Sequence, residues 1–170
     1  MAFRPSATTV PAGKTHVAEV GPTTRSWISL TSARSTAFAG PQVAGTISRT
    51  TTTTNGGSML DGLVTFDSIA TEAEDKFGGG VHVRTTGATF VGLRINGQDY
   101  ADPIAPNGLE IQLPLWGKLR VNQQTVPGPT RGGKTRVDGL YLLVTNPDNP
   151  AHLAAGTQLF VAHSEAIADR

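Results

Sequence analysis

The chain has no cysteine in its 170 residues. Disulfide staples and thiolate metal sites are therefore excluded, and every element must be held by packing and hydrogen bonds. Aromatic residues are scarce at 6%, charged residues make up 16%, and the formal net charge is only +1. So small a charge supplies no basic field that would draw in nucleic acid or an anionic membrane. No apolar run approaches the roughly 18 residues needed to cross a bilayer, which argues against membrane insertion. The opening MAFRPSATTVPAGKTH lacks the apolar stretch of a signal peptide, and the closing HSEAIADR has no hydrophobic tail. The expectation is a chain without its own leader or anchor, located on a virion or particle surface or on an extracellular cell surface.

What is abundant points to one structural class. The chain has 20 glycines and 11 prolines and is rich in threonine. Thr and Val favour pleated strands, and Gly and Pro punctuate them. Residues 1–24, with Pro5, Pro11 and Pro22, read as an extended N-terminal arm containing one strand at 15–20. Residues 25–170 read as a single domain, as this length favours. SWISL and STAFAG are short strand-like runs, and QVAGTISRTTTT is long enough for a full strand. That strand ends at Asn55-Gly56, a strong hairpin signal. The run Thr50 to Thr54 reads as an ordered strand end, with a disordered linker as the alternative.

Between Leu60 and Phe77, helical and strand spacings each fit in part, and Gly62 with the β-branched Val64, Thr65, Ile69 and Thr71 favours strand. Beyond Gly78-Gly79-Gly80, alternating segments from VHVRTT to TQLFVAHS are separated by turn-rich stretches. Only Pro150 to Ala155 offers a helical turn. This spacing predicts an all-β fold, an antiparallel β-sandwich of jelly-roll-like or Ig-like type.

GPTRGGKT, Gly128 to Thr135, fits G-x-x-x-x-G-K-[ST] letter for letter. A phosphate loop needs a strand before it and a helix after it, whose N-terminal amides surround the anion. Here Val126-Pro127 precedes, and RVDGLYLLV follows with strand alternation. The expectation is a mobile hairpin loop with Arg131 and Lys134 as solvated charges, and no bound nucleotide.

Other chemistry is thin. His16, His82, His152 and His163 lack metal-like spacing. His163 and Glu165 share a strand face and read as a surface pair. Glu72, Glu74 and Asp75, with Asp67, or Asp99 with Asp102, invite a calcium reading, but the ordered calcium-loop pattern is missing. No serine lies in G-x-S-x-G. No catalytic residue, cofactor site or metal site is assigned, and the chain reads as a non-enzyme. Trp27 and Tyr141 lie within apolar strand runs and read as core. Trp116, in the turn LPLWG, reads as an exposed contact beside Leu115, with folding back onto the sandwich as the alternative.

From ATFVGLRINGQDY onward the chain resembles the choice-of-anchor P family of actinobacterial surface proteins. The likeness rests on Thr89, Val91, Gly92, Leu93, Ile95, Asn96 and Gly97, then on Leu113, Pro114, Gly117, Leu119, Val121, Asn122 and Gln124. Val137 to Val144 and Leu159 to Ser164 continue in the family's order, so the resemblance covers about residues 35–166. It implies a secreted or surface-displayed β domain without catalytic residues, and it places GPTRGGKT in a variable loop. The arm does not match, and Leu115-Trp116 replaces the family's turn Gly-Gly.

The expected function is a non-catalytic structural or assembly protein. Its partners are proteins, through self-assembly or docking on a larger particle, with contacts at Phe3, Val10, Leu115 and Trp116. The alternative is an adhesin-like binding module that recognises a glycan or a protein.

Overall fold

The computed structural model describes residues 13–25 and 27–168. Among them every regular element is a strand. The large sheet holds β1 (Lys14–Val20), β2 (Thr23–Arg25), β3 (Ile28–Gln42), β4 (Gly45–Met59), β5 (Val64–Gly78), β6 (Val81–Val91), β7 (Leu93–Ile95) and β8 (Gln98–Tyr100). The small sheet holds β9 (Leu109–Leu113), β10 (Gly117–Thr125), β11 (Thr135–Val144) and β12 (Gln158–Ala166). All pairings are antiparallel, in the order β1-β3-β4-β5-β7-β8 and β12-β11-β10-β9, with β2 on β3 and β6 on β5. The two sheets pack together as an antiparallel β-sandwich, β12 lying against β4 and β5 and β11 against β5 and β6. Most successive strands pair with each other; β2 and β7 instead follow β1 and β6 along the same edges of β3 and β5, and β8 leads across to β9 in the other sheet. The connectivity is thus a double meander, without the interleaving that defines jelly rolls and Ig domains.

Three local readings change. The chain does not turn at Asn55-Gly56; β4 runs through it, and the turn comes at residues 60–63. Leu60 (φ 56°), Asp61 (φ 58°) and Gly62 (φ 84°) supply the left-handed backbone there. The later turn extends the strand so that Met59 and Leu60 are buried. Ile28 to Leu30 of the first run and STAFAG fuse into the one strand β3. The strand expected at 15–20 within the arm is present as β1, and it and β2 both pair with β3, so the arm's residues 14–20 and 23–24 belong to the sheet. At Pro150 to Ala155 the chain forms turns and no helix, tied down by Asn149, whose amide bonds both the Leu153 carbonyl and its N–H.

Each sheet also carries a transverse row at which inside and outside exchange. In β5, Val64 and Phe66 are buried before the row, and Ile69, Thr71 and Ala73 after it. In β4 the buried set passes from Thr50, Thr52 and Thr54 to Gly57 and Met59. The row crosses Gly56, Asp67 and Gly92, and register on its two sides is unchanged. The small sheet repeats the device at Asn122, Gly139 and Ala162. Alternate strands take a left-handed residue there: Gly56 (φ 56°), Gly92 (φ 63°), Asn122 (φ 54°) and Ala162 (φ 52°). One strand flipping alone would move its apolar side chains to solvent. When every strand flips on one row, pairing survives.

The row divides the interior. On one side lies an apolar core that includes Phe66, Leu93, Trp116, Leu119, Leu140 and Val161. On the other, buried hydroxyls line the space: Ser35, Thr50, Thr52, Thr71, Thr135 and Ser164. Thr50 and Thr52 of β4 donate to the carbonyls of Glu165 and His163, each at 2.8 Å, and Thr71 donates to that of Ala162 at 3.1 Å. These carbonyls belong to β12, the outermost strand of its sheet, so the large sheet closes the small sheet's edge with side chains.

Candidate interaction surfaces

The LPLWG turn joins β9 to β10. Gly117 (φ 145°) lies so close to β11 that a Cβ would sit 2.2 Å from the Leu143 carbonyl oxygen. The close approach draws the turn against β11, where Thr145 N–H donates to the Trp116 carbonyl at 3.0 Å. Trp116 is thereby aimed inward and is only 1% exposed. The expected exposed Trp116 contact is corrected: the indole is core, because burying 150–250 Å² of ring outweighs leaving it wet. Leu115 (φ 67°) takes the tip instead and is 61% exposed. Phe3 and Val10 lie outside the described residues.

Two ion clusters use the titratable side chains. On the outside of the small sheet, Asp138 accepts from His163 Nδ1 at 2.6 Å and from Arg136 Nε at 2.8 Å, and its side chain is buried beneath both. His163 does not pair with Glu165, which binds Lys134 at 2.7 Å. The reason is spacing: Asp138 is directly across from His163 in the β11–β12 ladder, where Cβ atoms lie about 5 Å apart, against about 6.6 Å for two residues along a strand. Phe160 packs beside His163 and beneath Arg136, with Tyr141 5.2 Å from it, so Tyr141 sits half-buried on this outer face rather than in the core.

The second cluster is interior. Asp75 is fully buried and receives His82 Nδ1 at 3.0 Å and the Ala168 N–H at 3.1 Å. Arg84 Nε is 3.4 Å from the same carboxylate. That is ion-pair range, yet the Nε–H has no hydrogen-bond acceptor. The far side of the guanidinium donates to the carbonyls of Pro127 (3.2 Å), Gly128 (2.7 Å) and Arg131 (2.9 Å). The GPTRGGKT loop is thus a pinned cover for the β6 edge, helped by His82 N–H donating to the Pro129 carbonyl at 2.8 Å. Its carbonyls converge on a cation, the reverse of a phosphate cradle, where N–H groups converge on an anion. β11 follows where a phosphate loop would continue as a helix.

The acidic candidates do not converge. Glu72 and Glu74 face outward onto Arg49 and Lys76, Asp75 faces inward, and Asp99 pairs with Arg94. Among the described residues no group of three or more His, Asp or Glu is placed to hold a metal ion.

The outer face of the large sheet was not legible in the sequence. Because Thr50 and Thr52 point inward, the ladder turns Thr36, Thr51, Thr53, Thr85 and Thr89 outward, with Val17, Val83 and Val91 exposed among them. Its charges include three pairs across the long strands, Arg34–Glu19 at 3.5 Å, Arg49–Glu72 at 2.7 Å and Lys76–Glu74 at 2.7 Å, and a fourth, Arg94–Asp99 at 2.7 Å, beyond the reversal row. The Glu72 hydrogen bond raises the Arg49 pKa above its ordinary value. A shallow trough notches this face along the reversal row. It is floored by Gly56, Gly57 and Gly92 and rimmed by Asp67, Arg94 and Asp99. A Cβ on Gly92 would lie 2.3 Å from the Asp67 carboxylate, so glycine keeps it open.

No family model, curated protein or solved structure matches the chain. The resemblance to choice-of-anchor P proteins rests on the quoted motifs alone.

Proposed function

We propose that this chain is a non-catalytic structural subunit, a β-sandwich that packs into a surface layer or particle. A virion decoration, capsid or tail component, or a cell-surface assembly, fits this reading. The observation that carries it is the outer face of the large sheet, a five-stranded surface of Thr and Val whose charges cancel in pairs. Paired charges cost less to bury than lone ones, and a net-neutral sheet face that exposes Val17, Val83 and Val91 is suited to contact with another protein. Two further features support the reading. Both histidine–aspartate pairs are tied up in ion clusters that hold strands and loops together. Lys134 pairs with Glu165 at the surface and the loop carbonyls are engaged by Arg84, which favours no nucleotide role.

The test is Thr36→Glu combined with Thr89→Glu, which places two carboxylates on the face across from Val17, Thr51 and Ala70, where no charge directly opposes them. Sedimentation and negative-stain microscopy should show assemblies from the wild type and their loss in the variant, with the melting temperature nearly unchanged. A wild type that remains monomeric at every concentration, alone and with its co-expressed particle, would overturn the proposal.

The adhesin-like reading draws on the trough. Hydroxyls of Ser29 and Ser58 with Asp67 and Arg94 offer donors and acceptors suited to a polyhydroxyl ligand, though the aromatic ring lining the trough, Phe66, is buried. Glycan-array binding that Gly92→Val abolishes would favour it.

A further inference from the structure

We infer that β1 is a pairing edge, and that its occupant is β1 of a second copy of this chain, in antiparallel register centred on Val17. The inference rests on the assembly reading and names the partner.

Exposed backbone edges invite strand addition unless they are covered. This fold covers two of its outermost strands from within: Thr50 and Thr52 close β12, and Arg84 with the Pro129 carbonyl closes β6. β9 is short, with Glu110 near its start and Pro114 just past its end. β1 differs. It runs seven residues, packs on β3, and is open on both faces, since the neighbours His16 and Val17 point to opposite sides and are both exposed. Val17 is 50% exposed.

The strand's own sequence suits a two-fold. In an antiparallel pair, successive residues aim their backbone groups at alternate edges, so residues facing each other across a two-fold must be of like parity. A register centred on Val17 pairs all seven residues. It sets Val17 against Val17 of the second copy, Thr15 against Glu19, His16 against Ala18 and Lys14 against Val20. No like charges oppose. Centring one residue earlier sets His16 against itself, and either shift shortens the ladder to five residues. Joined this way, the two neutral outer faces become one continuous sheet surface, which extends the assembly face without new chemistry.

The chain lacks cysteine, so the test is clean. In this register Cβ atoms of the two Val17 positions lie about 4.5–5.5 Å apart, near enough for a disulfide after small adjustment. Val17→Cys under mild oxidation should give a covalent dimer of twice the chain mass. Thr15→Cys should give at least tenfold less, because its two copies are displaced by four residues. A second measurement uses His16→Pro and Val17→Pro. One of these removes a free-edge N–H while leaving the β1–β3 ladder whole, and that variant should lose dimers without losing melting temperature. Assemblies that persist with no Val17 cross-link, or cross-links equal at both positions, overturn the β1 inference and leave the assembly reading standing. A wild type monomeric throughout overturns both.

Discussion

The hydroxyl of Thr52 donates to the main-chain carbonyl of His163 at 2.8 Å, so that a side chain of one sheet satisfies the backbone edge of the other. Thr50 does the same for Glu165. This explains the order in the threonine run: Thr50, Thr52 and Thr54 are buried, and Thr51 and Thr53 face out. A hydrophobic residue at the buried positions would leave β12 carbonyls dry and unpaired.

Thr52→Val keeps the shape and removes the donor. Leaving a buried acceptor unmade costs about 1–3 kcal/mol. Thr51→Val, on the outer face, should change stability by less than about 0.5 kcal/mol. Urea denaturation of both variants checks the difference; equal effects would show that the hydroxyl contact carries no weight.

Trp116 and Leu115 are neighbours with opposite fates. Trp116→Ala should destabilise by roughly 3–5 kcal/mol through loss of apolar contact and the cavity left behind. Leu115→Ser, at the exposed tip, should stay within about 0.5 kcal/mol. Thermal and chemical melts of the two variants give the comparison.

Arg84 holds the GPTRGGKT loop and neutralises Asp75. Arg84→Met releases three loop carbonyls and leaves Asp75 with His82 and the Ala168 N–H, and breaking a buried ion pair typically costs about 3–5 kcal/mol. Hydrogen exchange at His82 N–H, which donates into the loop, should accelerate more than exchange in β3. Arg84→Met with Asp75→Asn should cost less than the sum of the two, since each removes the other's partner.

Lys134→Ala breaks an ion pair with Glu165 whose lysine is 61% exposed, so the stability change should be below about 1 kcal/mol. Calorimetry with ATP and GTP should show no heat in either protein. Nucleotide binding that vanishes in the variant would reverse the reading of the loop.

Arg120, then Lys118, hydrogen-bonds Glu110 and holds its pKa below the ordinary carboxylate value. A carboxylate lowered in the folded state contributes stability above its unfolded pKa and loses it as pH falls through the folded one. Glu110 lies at the surface with its side chain 44% exposed, so salt should weaken the effect. NMR titration should show the Glu110 pKa rising towards its ordinary value in Arg120→Gln.

The sequence by itself determined the all-β class, the places of most strands and the absence of a helix after GPTRGGKT. Alternation, β-branching and Gly/Pro turns act within a few residues, so they can be read without knowing what lies across the sheet. Asn55-Gly56 misled for the same reason: a left-handed glycine serves a hairpin turn or a coordinated flip equally well, and only the neighbouring strands decide which. The tertiary structure alone decided that the threonines cap β12, that Trp116 turns inward and Leu115 outward, that His163 meets Asp138, and that β1 has no strand beyond it among the described residues. Each of these depends on residues far apart in the chain, Thr52 with His163 or Gly117 with Leu143. Partners brought together by register and sheet packing leave no local pattern in the sequence.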